Sequence, residues 1–154
     1  MYTYRCKIIR VVDGDTVDVD IDLGFGVWMK KQRIRLYGVD TPESRTRDKE
    51  EKFYGLLAKE FVQRHLPVSN DHILKTKLDD KGKFGRILGE FVINSGTTDE
   101  TTLNQMLIDE HHAVEYKGQS KEEIAEAHLA NREFFTQCPS PVKIVVMNLI
   151  AVQI

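Results

Sequence analysis

Two short runs of the chain carry residue types suited to chemistry on a charged substrate. The run Arg33-Ile34-Arg35-Leu36-Tyr37-Gly38-Val39-Asp40-Thr41-Pro42-Glu43 begins as an alternating strand and stops at a proline. Alternation sends Arg33, Arg35 and Tyr37 to one face and Ile34 and Leu36 to the other. Pro42 has no amide hydrogen for a ladder and drives Thr41 out of helical geometry, so Asp40, Thr41 and Glu43 fall on a loop at the strand end. Upstream, Val11-Val12-Asp13-Gly14-Asp15-Thr16-Val17 reads as strand, turn, strand. If the two strands are neighbours, Asp15 meets Asp40 with Arg35 and Glu43 close by. That arrangement offers two carboxylates to a hard cation, one to a proton, and a guanidinium to a phosphate.

The elements that must hold these residues follow from patterning. Residues 2–12 read as a strand and Asp13-Gly14 as a turn. Residues 16–23 alternate Val17, Val19, Ile21 and Leu23 with Asp18, Asp20 and Asp22, which describes one dry and one wet face. The aspartate row fails as a calcium loop, because counting from Asp18 puts Leu23 and Met29 where glycine and glutamate are needed. Asp18, Asp20 and Asp22 are therefore read as a solvated face. Gly24-Phe25-Gly26 marks a hairpin, and residues 27–37 return as a third strand. Residues 44–52 form a polar loop running into a helix over 50–66, with Phe53, Leu56, Leu57, Phe61 and Leu66 as its packed stripe and Pro67 as its stop.

Further along, residues 72–79 and 84–93 read as strands around a turn at Asp79-Asp80-Lys81-Gly82-Lys83. Thr97-Thr98-Asp99-Glu100 is a capping box for a second helix ending near His112, with Leu103, Met106 and Leu107 buried. Ser120-Lys121-Glu122-Glu123 is another, opening a helix to about residue 136 with Ile124, Ala127, His128 and Phe135 on one face. Pro139 and Pro141 end it. The apolar tail over 142–152 reads as a strand that pairs with a sheet edge of this chain or of a partner.

Three motifs, Asp13-Gly14-Asp15-Thr16, Arg35 to Glu43, and Lys83-Phe84-Gly85-Arg86, occur in this order, and with them the chain resembles the staphylococcal nuclease (thermonuclease) family. The resemblance covers roughly residues 5–135 and leaves the tail over 139–154 without a role. It implies an α+β chain, mainly barrel: a five-stranded antiparallel OB-fold barrel with about three packed helices. It also implies a calcium site from Asp15, Asp40 and the backbone carbonyl of Thr41. Arg35 and Arg86 match the phosphate-binding arginines, and Glu43 matches the general base. Lys83 and Phe84 match a lysine–tyrosine pair that contacts nucleotide phosphate; Phe84 lacks the hydroxyl but keeps a ring for stacking. Tyr116 is a base-stacking candidate. Relatives have Gly-Leu-Ala where this chain has His111-His112-Ala113, at a left-handed helix end that favours glycine. No carboxylate or cysteine spacing supports zinc there, so both histidines are read as structural or solvated.

The resulting expectation is a calcium-dependent endonuclease that hydrolyses DNA and RNA and leaves 3′-phosphate ends. Its rivals are a non-catalytic nucleic-acid-binding OB module and a protein-interaction domain. The presence of Asp15, Arg35, Asp40, Glu43 and Arg86 favours the enzyme over the binding module, and nothing specific in the sequence supports the interaction domain, which the low net charge permits. A chain of 154 residues, 41% hydrophobic and 30% charged, suits a single domain with one core. The net charge of −2 argues against a broad basic surface but permits a local basic groove. The two cysteines, Cys6 and Cys138, show no disulfide framework or metal spacing and are read as reduced thiols. No apolar run approaches the ~20 residues of a membrane span. A monomer with no membrane partner is expected. Its place is the cytoplasm if Met1 is the native start, or outside the cell if a leader was removed.

Overall fold

The computed structural model describes residues 1–78, 86–137 and 141–154. In chain order the elements are β1 (Tyr2–Asp13), β2 (Thr16–Gly24), β3 (Val27–Leu36), β4 (Val39–Asp40), α1 (Lys49–His65), β5 (Asp71–Leu78), β6 (Ile87–Ile93), β7 (Thr101–Thr102), α2 (Leu103–Asp109), β8 (Val114–Glu115), α3 (Lys121–Gln137) and α4 (Pro141–Gln153).

The alternating runs near the N-terminus become a meander because their apolar positions face one interior. Ile8, Val17, Val19, Ile34 and Leu36 are all essentially solvent-free. The sheet runs β3-β2-β1-β5-β6-β7, and β3 also pairs with β6. That extra pairing, Ile34 with Ile87, Arg35 with Leu88 and Leu36 with Gly89, closes β1, β2, β3, β5 and β6 into a ring. Five is odd, so a closed ring of five strands cannot alternate direction throughout. One neighbouring pair must run parallel, and it is β3–β6. The expected barrel is present with this one amendment to "antiparallel". The expected turn over 79–83 and residues 84 and 85 of the fifth strand lie outside the described residues, as does Cys138. Cys6 is a free, buried thiol, and burial pushes its pKa up to about 12.

Asp48 caps α1, its side chain accepting from the amides of Glu50 and Glu51 at 3.0 and 3.3 Å. Phe61, Val62 and Leu66 then plug the barrel, and Tyr54 and Leu57 face a second, smaller core. The helix expected from Thr97 starts later. Thr102 is the N-cap of α2, accepting from the Gln105 amide at 3.1 Å, while Glu100 instead accepts from the Gly96 amide in the preceding turns. The α3 box behaves as expected, with the Glu123 amide donating to Ser120 Oγ at 3.2 Å.

The tail reading is overturned. Residues 141–153 form a fourth helix, not a strand. Pro141 supplies the pre-set φ of a first helical residue. Val146, Met147 and Ile150 share a face and pack with Tyr54, Leu57 and Phe135. Barrel closure leaves no long free edge among the described residues for a strand to join, whereas the outer side of α1 needs a cover. The wet face of β2 also differs from expectation. Asp20 is only 7% exposed and accepts from the Lys31 amide at 2.9 Å and from Lys30 Nζ at 3.3 Å. It sits where the β2–β3 register shifts between Val19 and Ile21, and it satisfies a backbone group that the irregularity would orphan. Asp18 pairs with Arg33 and Arg10, and Leu23, expected on the dry side, is exposed.

Candidate active site

The β2–β3 ladder places Thr16 opposite Arg35, and the Leu36 amide donates to the Asp15 carbonyl at 2.8 Å. The turn carboxylate and the strand guanidinium are therefore neighbours by register. After Gly38, β4 pairs with β8, setting Asp40 against Val114, and the Tyr116 amide donates to the Gly38 carbonyl at 2.8 Å. Arg35 lies between the two acids, with ion pairs of 3.4 Å to Asp15 Oδ2 and 3.4 Å to Asp40 Oδ1. Its NH1 also donates to the carbonyl of Val39 at 2.9 Å, which ties the guanidinium to the loop that it faces. Asp15 is 9% exposed; its Oδ2 accepts from the Thr41 amide at 3.3 Å and its Oδ1 from Thr16 Oγ1 at 3.1 Å.

The loop after Asp40 is held close to α1 by small residues. A Cβ on Gly14 would lie 2.8 Å from Ala58 Cβ and 3.0 Å from Thr41 Oγ1, so only glycine lets this turn approach the helix. Ser44 Oγ donates to Asp13 Oδ1, fastening the far side of the loop to the end of β1. Glu43 thus faces a field of like charge. Its pKa is raised, first by partial burial and then by the carboxylates of Asp15, Asp13, Asp40 and Glu51.

Arg35, Asp40 and Arg86 line one open groove of about 780 Å³, together with Tyr116 and Lys117. Arg86 immediately precedes β6 and shares the outward face of Arg35, because Arg35 is paired with Leu88. Tyr116 is 47% exposed there. The structure thus brings together Asp15, Arg35, Asp40, Thr41, Glu43, Arg86 and Tyr116. Lys83 and Phe84 lie outside the described residues. Two residues of the site were not foreseen. Lys117 adds a cation to the groove and pairs with Glu115 at 3.1 Å. His128 of α3 reaches Asp40, its Nε2 lying 2.8 Å from Oδ2. The sequence put His128 on the packed face of its helix, but no local signal linked it to a carboxylate 88 residues away.

The donors around Arg35 are all oxygens, as a hard cation such as calcium requires. No group of three or more His, Cys, Asp or Glu side chains suited to a metal occurs among the described residues. Two carboxylates, those of Asp15 and Asp40, converge there on Arg35. Calcium takes about six to eight oxygens, so water and substrate phosphate fit the remainder. Thr41, 3% exposed, donates its amide to Asp15 Oδ2 at the same spot, and its buried Oγ1 has no hydrogen-bond partner among the described residues. These residues fit a calcium ion.

The histidine pair is structural. His111 does adopt the left-handed conformation, at φ 64°, and its ring stacks on Phe134 at 3.6 Å between centroids. His112 is buried between Phe61 and Phe135, and burial lowers its pKa to about 3, so it packs as a neutral ring.

The sequence profile described as staphylococcal nuclease homologue matches residues 33–136. Similar proteins include the thermonuclease of Staphylococcus hyicus, 40% identical over 83 residues, which are 53% of this chain and 44% of that protein. The thermonuclease of Staphylococcus intermedius is 38% identical over 80 residues, 51% of this chain and 43% of that protein. An uncharacterised protein of Methanocaldococcus jannaschii is 32% identical over 109 residues, 60% of this chain and 50% of that protein. The chain spans half or less of the length of these relatives.

Proposed function

Because the chain belongs to the staphylococcal nuclease homologue family, we propose that it is a calcium-dependent nuclease acting on the phosphodiester bonds of DNA and RNA. The observation that carries this reading is Arg35 held between Asp15 and Asp40 on the wall of a groove that also bears Arg86. A binding module needs cations for phosphate but has no use for two acids converging on the same point, which repel a nucleic acid unless a metal joins them.

Asp15, Asp40 and the Thr41 carbonyl would hold the ion. When bound, calcium supplies a Lewis acid and a template for the phosphate. Arg35 and Arg86 meet the non-bridging oxygens, where charge grows in the transition state, with the planar fork that guanidinium offers. Glu43 accepts a proton from the attacking water. Its pKa is raised above the ordinary carboxylate value, first by partial burial and then by the neighbouring carboxylates, which makes it a stronger base. Water attack on phosphorus then breaks the bond to the 5′-oxygen, which takes a proton from solvent water and leaves as the 5′-hydroxyl, and the other product ends in a 3′-phosphate, as the family resemblance implies. Tyr116 offers a ring on which a base stacks, and Lys117 a charge for a flanking phosphate. An open groove of this kind suits single-stranded or breathing regions.

The deciding experiment incubates purified protein with plasmid DNA, single-stranded DNA and RNA, with calcium and with chelator. Calcium-dependent loss of DNA supports the enzyme. Retained binding without degradation at any calcium level would leave the non-catalytic module as the correct reading.

A further inference from the structure

Asp40 is also met by a side chain from outside the motifs: His128, with Nε2 2.8 Å from Asp40 Oδ2. A carboxylate only accepts, so the hydrogen in this contact belongs to the ring nitrogen. Asp40 is thereby divided between two donors: Oδ1 faces Arg35 and Oδ2 faces His128. With a donor on each oxygen, the Asp40 carboxylate is held from two sides.

The placement of His128 is itself well determined. His128, Asn131, Arg132 and Phe135 recur at helical spacing and form the inward face of α3. Each makes a different anchor. Asn131 Nδ2 donates to the Ala113 carbonyl at 3.2 Å. Arg132 lies over the Tyr54 ring at 5.4 Å. Phe135 is buried in the second core beside Tyr54, Leu57 and Ile150. The imidazole lines a small cavity of about 10 Å³ together with Pro42, Tyr54, His112 and Asn131. Among the described residues its Nδ1 is buried without a hydrogen-bond partner, and the polar contact of this ring is the one to Asp40.

We propose that His128 is a positioning residue for the metal site: it fixes the Asp40 carboxylate, and through α3 and the second core it makes the C-terminal helices part of the active site. This rests on the calcium-dependent reading above. Partners that orient a ligating carboxylate act on metal affinity as well as on rate. α4, outside the matched family segment, then acts on the metal site at a distance by packing Ile150 against the core that seats Phe135.

The test is calorimetric titration of the full chain with calcium chloride alone, without nucleic acid, on wild type, His128→Gln, His128→Asn and His128→Leu, with a thermal melt of each. The Gln amide nitrogen reaches the position of Nε2, whereas the shorter Asn amide does not. His128→Gln is expected to bind calcium close to wild type, and His128→Asn and His128→Leu roughly 10-fold or more weakly. A purely structural histidine would instead rank the variants by melting temperature, with no rescue by Gln. Equal calcium affinity in wild type, Asn and Leu variants overturns the positioning role alone, as does Gln binding as weakly as Asn. If the Leu variant does not fold, the Gln–Asn pair decides by the same criterion. Wild type taking up no calcium overturns the metal reading itself, and the role of His128 with it.

Discussion

A Cβ placed on Gly55 would lie 2.4 Å from the Glu43 carbonyl oxygen and 2.7 Å from the Ser44 amide nitrogen, so α1 and the acidic loop meet backbone to backbone. Neither partner is a flexible side chain that can turn aside. Gly55→Ala is expected to push the loop off the helix, costing about 1–3 kcal/mol of stability as an overpacked contact. Displacing Glu43 by a fraction of an ångström to an ångström should also lower turnover by up to about 10²-fold. Denaturant melts and nuclease rates at saturating calcium check both. A variant with wild-type rate would show that the loop is not held by this contact.

Glu43 should show opposite signs in rate and stability. Its pKa is raised in the fold, so the folded chain holds this proton more tightly than the unfolded one. Below the unfolded value of 4.5 both states are protonated and the site is neutral in effect. As pH rises through the raised folded value, the charged form enters an unfavourable field and costs stability. Glu43→Gln should therefore melt slightly higher than wild type at pH 7, with the gain vanishing below about pH 4. Turnover should fall roughly 10²-fold or more, the scale of a lost general base. Wild-type rate should decline on acidification through a pKa above that of an ordinary glutamate. Full activity in the Gln variant would remove Glu43 from the mechanism.

The two arginines differ in what they touch, and their lysine variants should separate accordingly. Arg35 contacts Asp15, Asp40 and the Val39 carbonyl, whereas Arg86 lines the groove at the start of β6. Both substitutions lose the bidentate fork and should cut the rate severely. Arg35→Lys should in addition alter calcium affinity, because it frees the loop carbonyl and both acids. Arg86→Lys should leave calcium affinity near wild type. Calcium titrations with and without oligonucleotide distinguish the two, and equal shifts would contradict the geometry.

The juxtaposition of Asp15, Arg35 and Asp40 was legible because its geometry is local. Asp15 and Arg35 are one register step apart on adjacent strands, and Asp40 to Glu43 follow the same strand. The barrel was legible for the same reason, since alternation fixes which face of β2 and β3 turns inward. What was missed depends on distant packing. Nothing near His128 in sequence signals Asp40, and the contact exists only once Phe135 and Arg132 have seated α3. Asp20 looked like Asp18 and Asp22 because strict alternation hides a register shift. The tail was misread because Val and Ile favour strands and a short apolar run carries no decisive period.

Asp20 therefore ceases to be a silent surface acid. Its pKa is lowered chiefly by the Lys31 amide, then by Lys30. A depressed folded value means that its contribution is present above the unfolded value of 3.8 and is lost as pH falls through the folded one. Asp20→Ala should cost about 1–3 kcal/mol at neutral pH, because it strands the Lys31 amide, and less in acid. Calcium affinity per folded molecule should be unchanged. Chemical denaturation at several pH values tests this, and a variant as stable as wild type would restore the solvated reading.

The last prediction separates a helical from an extended tail with two residues. In a strand, positions 150 and 152 share one face and respond alike to a charge. In α4 they do not: Ile150 is 4% exposed in the second core, whereas Val152 is 87% exposed. Ile150→Asp places a carboxylate against Tyr54, Leu57 and Phe135 and should cost several kcal/mol, beyond the roughly 2–5 kcal/mol of simple truncation to alanine. Val152→Asp should lie within about 0.5 kcal/mol of wild type, as exposed substitutions do. Because the same core seats α3, partial loss of the α4 contact in the milder Ile150→Ala should also weaken calcium binding before global unfolding. Equilibrium melts of the three variants and calcium titration of the alanine variant give the result. Equal destabilisation by Ile150→Asp and Val152→Asp would return the tail to a strand.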